Sequence, residues 1–276
     1  MVQQIIINAD DFGKSPSRNQ AIHDSFVNGM IHSAGIIVTG KHLQNAVELM
    51  NKGGYVDKVH LHVNLSTNLL HENSEDIPLS EEMKYDSLFC INGRFKPYNG
   101  LPRSFVSIRK WRVVYKEIVA QYLRFKELTK GQGDMSHIDF HLWYNLTWPV
   151  SVALNLFSWK YHIKSVRYIG EHQKHVRRFM LFRCLSWKPF VKSVHSTNID
   201  YYLSRRSALC RFSVIELYCH PNYKENGLLL DDSPSYLKHE RKSMQFHIQQ
   251  LNSLDDIQFV SWLSFKRKNS IRWKIR

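Results

Sequence analysis

The chain alternates short apolar runs with longer segments of helical periodicity, and this limits the fold more than any other feature. Residues 5–7 are three isoleucines with no polar alternation, the pattern of a strand buried on both faces. Residues 19–29 read as an amphipathic helix, with Ile22, Phe26 and Met30 at helical spacing. Ser15-Pro16-Ser17 suits its N-terminus. Further strands are expected at 34–40, 58–66, 135–145, 164–169, 213–221 and 257–262, and helices at 42–53, 107–131, 152–163 and 236–253. Residues 67–104 read as a polar loop. Repeated strand–helix units imply an α/β fold with a parallel sheet. Seven or eight strands fit either a closed or nearly closed barrel or an open doubly wound sheet. No Pro/Gly-rich linker divides the chain, so one domain over 1–263 is expected, followed by a basic tail at 264–276. No GxGxxG or Walker loop is present, which argues against a nucleotide fold.

A hydrophobic content of 43% is ordinary for a globular protein and argues against disorder. No apolar run reaches the roughly 18 residues of a membrane span. The chain enters a strand without a charged leader, so a cytoplasmic location is expected. Cys90, Cys184, Cys210 and Cys219 are scattered and form no metal-finger spacing, which fits buried free thiols in a reducing compartment. The formal charge is +14 and uneven. Residues 164–192 carry eight Lys/Arg against one acid, and "FKRKNSIRWKIR" carries six and none. A solvated basic face, an anionic membrane surface, an anionic substrate and nucleic acid all compete as explanations. No zinc finger, RNA-recognition motif or helix-turn-helix accompanies the charge, so no specific nucleic-acid partner is expected. The tail, with Trp273 and Ile271 among its cations, has the composition to rest on anionic headgroups at the inner membrane face.

The first strand ends in adjacent carboxylates, "NADDFG". Two such groups repel unless a positive charge sits between them or one holds a proton. They fit a helix cap as readily as a reactive site. Other strands decide between these. Residues i and i+2 of a strand share a face, so His60 and His62 point one way, and His137, Asp139 and His141 do likewise. Polar groups concentrated on several buried strands must meet one another, water or a metal. Asp oxygen with His nitrogen suits a divalent ion, Zn²⁺ or another transition metal, or Mg²⁺ with water completing the shell. One Asp then binds the ion and the other is free to act on water.

"NADDFG", "HVNLS", "SHIDFH" and "ELYCHPNY" occur in the order and at about the spacing found in YdjC-like carbohydrate deacetylases, and the resemblance runs from about residue 3 to 262. It is supported by "VNGMIHSAGIIVTG", "AQYLRF" and "SVRY". The resemblance implies an irregular (β/α) barrel, TIM-barrel-like, that removes acetyl groups from N-acetylated sugars with one divalent metal ion. Carried over by position, Asp11, His62 and His141 look like the metal ligands. Asp10 resembles the general base, and His220 the general acid or oxyanion stabiliser. His137 and Asp139 are candidates to orient His141, while His60 has no assigned role. Arg167 is a candidate for substrate oxygens or an ordinary barrel-wall arginine.

The family's second histidine motif usually reads like HxDSHxHxH. Here Phe140 stands for the Ser, and Trp143 and Asn145 stand where further histidines are common. Trp143 has the indole to stack on a sugar ring. The expected substrate is an N-acetylated sugar or oligosaccharide, with an anionic or lipid-linked glycan of polysaccharide assembly suggested by the basic segments. The expected reaction releases acetate. A non-catalytic glycan-binding relative and a metal-dependent hydrolase of another amide or ester are the competing readings. A homodimer is compatible with the sequence.

Overall fold

The computed structural model describes residues 2–66, 76–96, 110–141, 148–169, 192–233, 241–262 and 264. Strand β1 (Gln3–Phe12) leads into helix α1 (Pro16–Val27), then β2 (Ser33–Ile36), α2 (Leu43–Gly53) and β3 (Val59–Val63). A short helix α3 (Glu81–Lys84) and a hairpin, β4 (Cys90–Ile91) with β5 (Arg94–Phe95), precede α4 (Trp111–Leu128). Then come β6 (Asp134–Phe140), α5 (Trp148–Tyr161), β7 (Ser165–Ile169), β8 (Lys192–Asn198) and α6 (Ile199–Leu209). Strand β9 (Val214–Cys219) is followed by a second hairpin, β10 (Pro221–Tyr223) with β11 (Leu229–Asp231), then α7 (Met244–Asn252) and β12 (Ile257–Phe259).

Seven parallel strands run β1-β2-β3-β6-β7-β8-β9, and β1 pairs with both β2 and β9, which brings the sheet round into a barrel. Strand β12 adds to the first residues of β1, pairing Gln3 with Ile257 and Ile5 with Phe259. The open doubly wound alternative is thereby excluded. Helix α1 starts as its sequence demands, with Pro16 in the first turn and Ser15 Oγ accepting from the Arg18 N–H.

Side-chain alternation divides this barrel unusually. Ile5, Ile7, Ala9, Leu61, Val63, Ile138, Phe140, Ile215 and Leu217 pack outward with helix residues such as Ile22, Met50, Ile118 and Phe125 in the main core. The intervening residues form an inner face of histidine, carboxylate and arginine rather than the branched aliphatics that usually fill such barrels. A small apolar cluster of Ile6, Val260 and Trp262, with Val214 against it, closes the N-terminal end. The Trp262 ring stacks on His137 at 3.8 Å.

Several sequence expectations need correction. The loop at 67–104 contains α3 and the β4–β5 hairpin, with 67–75 and 97–109 outside the described residues. Strand β8 and helix α6 were not anticipated, because "KSVHSTN" lacks an apolar run. A strand lining a polar barrel interior does not need one. Cys90 and Cys219 are buried, whereas Cys210 is exposed, contrary to the expectation of buried thiols; Cys184 lies outside the described residues. No helix among the described residues is long and apolar enough to cross a membrane. Of the basic tail, only Ser264 is described.

Candidate metal and catalytic site

The site is built at the C-terminal ends of the strands, where barrels of this kind collect their reactive groups. In a regular strand Asp10 and Asp11 would point to opposite faces. The β1–β2 register shifts between Ala9 and Phe12, and Asp11 adopts φ 68°. This bulge turns Asp11 inward beside Asp10. Left-handed backbone is costly for most residues and tolerated by Asp. Beyond it, Gly13 donates its N–H to Asn19 Oδ1 at 2.7 Å, and Asn19 Nδ2 donates to His42 O and Asn45 Oδ1, tying the turn to α1 and α2.

Asp11, His62 and His141 meet as the sequence suggested. Asp11 Oδ1 lies 2.8 Å from His141 Nδ1 and 3.6 Å from His62 Nε2. All three residues are buried, and their ligand atoms lie within 4.8 Å of one another. Asp11 Oδ1 is buried without a well-aligned hydrogen-bond donor among the described residues. One carboxylate oxygen and two imidazole nitrogens around an unsatisfied oxygen fit a divalent cation of the zinc or first-row transition type.

Asp139 supports this set, but not as expected. Its Oδ1 lies 2.6 Å from His62 Nδ1, so it orients His62 rather than His141. Its Oδ2 lies 3.1 Å from His60 Nε2. His60 Nδ1 is in turn 3.2 Å from Ser33 Oγ. His137 Nδ1 instead lies 2.8 Å from Ser165 Oγ. His60, His137 and Asp139 form another buried trio of potential ligands. That trio suits a cation less well, because the Arg167 guanidinium already lies 2.5 Å from Asp139 Oδ2.

Arg167 is 3% exposed and grips three carboxylates. It holds Asp10 through two parallel contacts, Nη1 to Oδ2 and Nη2 to Oδ1. Its Nε and Nη2 also donate to Glu216 Oε1 at 3.1 and 2.7 Å. Asn8 Nδ2 donates to Asp10 Oδ1 at 2.8 Å. Asp10 is therefore fixed on both oxygens. Glu216 escaped the sequence reading; its only signal was a lone carboxylate within the apolar run "VIELYC". His220 follows β9, and its Nε2 lies 3.9 Å from Asp10 Oδ2. Its Nδ1 is 3.0 Å from Ser233 Oγ, which donates to Asp231 Oδ1 at 2.6 Å. Asp231 Oδ1 also accepts the His220 N–H at 2.8 Å. The two ring nitrogens of His220 thus face opposite tasks. Trp143 and Asn145 lie outside the described residues.

Burial and charge set the protonation states. Burial alone pushes His62 down, but the Asp139 and Asp10 carboxylates outweigh it and raise its pKa to about 10. His141 falls to about 4 through burial and the neighbouring Lys14 ammonium. Burial raises Asp11, yet Lys14 and His141 hold its pKa well below the usual carboxylate value. Burial raises Glu216 and lowers His220.

Comparison with known proteins agrees with this geometry. The YdjC-like protein family matches residues 4–264. A protein of Listeria innocua named carbohydrate deacetylase 2 is 28% identical over 236 residues, covering 82% of this chain and 83% of that protein. A Vibrio cholerae carbohydrate deacetylase is 24% identical over 250 residues, covering 88% and 86%. A crystal structure from Enterococcus faecalis V583, of a protein provisionally called a cellobiose-phosphate cleavage protein, superposes with a TM-score of 0.63 at 18% identity, covering 82% of this chain and 84% of that one. With the family matching nearly the whole length of a barrel that carries its acidic and histidine motifs in one buried site, the chain belongs to the YdjC-like protein family.

Proposed function

We propose that this chain is a metal-dependent N-deacetylase of an acetylated amino sugar or oligosaccharide, releasing acetate and the free amine. The observation that carries the reading is the convergence of Asp11, His62 and His141 beside the fixed Asp10 carboxylate and His220. The relatives named as carbohydrate deacetylases support the same reaction class.

Asp11, His62 and His141 would hold the ion. A divalent cation bound there supplies Lewis-acid polarisation of the acetyl carbonyl and lowers the pKa of water. The chain's own residues do the rest. Asp10, locked by Arg167 and Asn8, receives the proton from the attacking water. Arg167 acts through Asp10 and is a positioning residue rather than a sugar contact. His220 delivers a proton to the leaving nitrogen from Nε2, while Ser233 and Asp231 hold its Nδ1 side. The 3.9 Å between His220 Nε2 and Asp10 Oδ2 lets base and acid flank one small space. Trp143 stacking on the sugar, a cytoplasmic location and contact of the tail with membrane headgroups remain parts of the reading that rest on sequence.

The test is metal content together with acetate release from a panel of N-acetylglucosamine oligosaccharides. Wild type should hold about one divalent ion per chain, the number one donor trio can seat, and release acetate. Asp10→Asn should keep the metal and lose activity; His62→Ala should lose both. A wild-type protein that takes up no divalent ion under any condition would sink the reading and favour a glycan-binding relative.

A further inference from the structure

Helix α7 buries Met244, His247 and Leu251, so a histidine shares its inner stripe with apolar residues. Ser243 starts the helix, its Oγ accepting from the Phe246 N–H at 3.1 Å. His247 is 2% exposed, and an imidazole buried so deeply needs partners for its ring nitrogens. Nε2 lies 3.2 Å from Asp200 Oδ1. That bond is the first cause of an Asp200 pKa lowered to about 2, so the carboxylate is ionised and Nε2 is the donor. Lys242 Nζ donates to the same oxygen at 2.8 Å. On the other side of the ring, Nδ1 faces Asp231 Oδ2 at 3.6 Å, the separation of an ion pair rather than a hydrogen bond.

Asp231 is the carboxylate behind the candidate acid. Its Oδ1 accepts from Ser233 Oγ, the Ser233 N–H and the His220 N–H at 2.6, 2.9 and 2.8 Å. Ser233 directs its one hydroxyl hydrogen to Asp231, which leaves its oxygen to accept from His220 Nδ1, 3.0 Å away. That order lasts only while Asp231 remains an acceptor. Asp231 is 5% exposed, and a buried carboxylate with one oxygen unpaired is costly. His247 is the group that faces the second oxygen. A line of contacts therefore runs from His220 through Ser233, Asp231 and His247 to Asp200 on α6.

We propose that His247 is a positioning residue for the candidate acid: tethered by Asp200, it holds Asp231 from behind, which turns the Ser233 hydroxyl away from His220 and keeps the hydrogen of the neutral His220 ring on Nδ1. Nε2, the nitrogen nearer Asp10, is then the one that takes up a proton and delivers it. When the carbon–nitrogen bond breaks, that proton passes from Nε2 to the leaving amine and the ring remains in its Nδ1–H form. The use of the proton rests on the deacetylase reading; the place where it is held rests on the contacts alone.

The test uses the full chain with zinc supplied in excess and its histidines labelled with ¹⁵N. Spectra are taken above neutral pH, where burial leaves His220 uncharged, and its signals are assigned by their loss in His220→Gln. Wild type should show hydrogen on His220 Nδ1. In His247→Leu that signal should move toward the unprotonated position. The kcat for acetate release from an N-acetylglucosamine oligosaccharide should fall about tenfold, part of what a positioned general acid supplies, with KM within about twofold of wild type. His247→Asn keeps a donor on the Asp231 side and should recover most of both effects, whereas His247→Gln reaches toward Asp200 and should not. Melting curves check folding. Should His247→Leu fail to fold, Asp200→Asn at the partly exposed end of the line should move the Nδ1 signal and kcat the same way by a smaller amount. An unchanged Nδ1 signal in a folded His247→Leu, or in Asp200→Asn where that variant takes its place, overturns the proposal, as does His247→Asn behaving like His247→Leu. No acetate from wild type defeats the deacetylase reading, while the Nδ1 signal still decides the role of His247.

Discussion

His62 Nδ1 and Asp139 Oδ1 lie 2.6 Å apart in a pair excluded from solvent, and this contact decides which His62 nitrogen faces Asp11. Asp139→Asn keeps the shape and removes the charge. Metal affinity should fall about 10–100-fold, the usual cost of losing a group that orients a histidine ligand. Titration against a competing chelator measures it, with circular dichroism to confirm the fold.

Proton–metal competition follows from the same pair. His62, raised to about 10, carries a proton at neutral pH in the metal-free protein, whereas His141, lowered to about 4, does not. Metal uptake near neutral pH should therefore expel about one proton. Affinity should climb roughly tenfold per pH unit above neutrality and flatten as the pH passes the His62 value. Calorimetry in buffers of different ionisation enthalpy counts the proton. Metal affinity independent of pH between 7 and 9 would contradict this assignment.

Arg167 offers a sharper contrast. Arg167→Met would strand Asp10, Asp139 and Glu216 without their shared cation, and loss of one partner from a buried ion cluster costs about 3–5 kcal/mol. Arg167→Lys retains a charge but not the fork that grips both Asp10 oxygens. It should melt closer to wild type while acetate release drops at least about tenfold, the equivalent of roughly 1.4 kcal/mol in the barrier. Urea midpoints beside kcat values separate the two effects.

Gly35 is small for a local reason. A Cβ there would sit 3.0 Å from His62 Cβ, 3.1 Å from His62 Nδ1 and 3.2 Å from Asp139 Oδ1. Gly35→Ala should press on the pair that aims His62, costing about 1–3 kcal/mol of stability and weakening metal binding. Equal metal affinity in Gly35→Ala and wild type would show that the pair tolerates the added methyl group.

Much of this was legible in the sequence because local chemistry wrote it there. Apolar runs and helical spacing located β1, β3, β6, β9 and helices α1, α2 and α4 to within a few residues. Period-two placement put His60 with His62, and Asp139 with His141, on shared faces. The motifs that carry the family resemblance single out Asp10, Asp11, His62, His141 and His220 as one set from the sequence alone. Strand β8 stayed hidden because Ser196 and Thr197 are buried without being apolar.

Tertiary structure decided the partnerships. Which histidine Asp139 orients depends on the β3–β6 register, which sets His62 opposite Asp139. That Arg167 faces Asp10, and not open space, depends on closing seven strands so that β1, β6, β7 and β9 surround one interior. Glu216 becomes part of the ion cluster for the same reason. Adjacent Asp10 and Asp11 turn the same way only because β1 bulges against β2. A one-dimensional pattern records which faces are polar. The distances that turn those faces into paired charges and a metal trio arise only when the barrel closes and sequence-distant strands are brought within hydrogen-bond range.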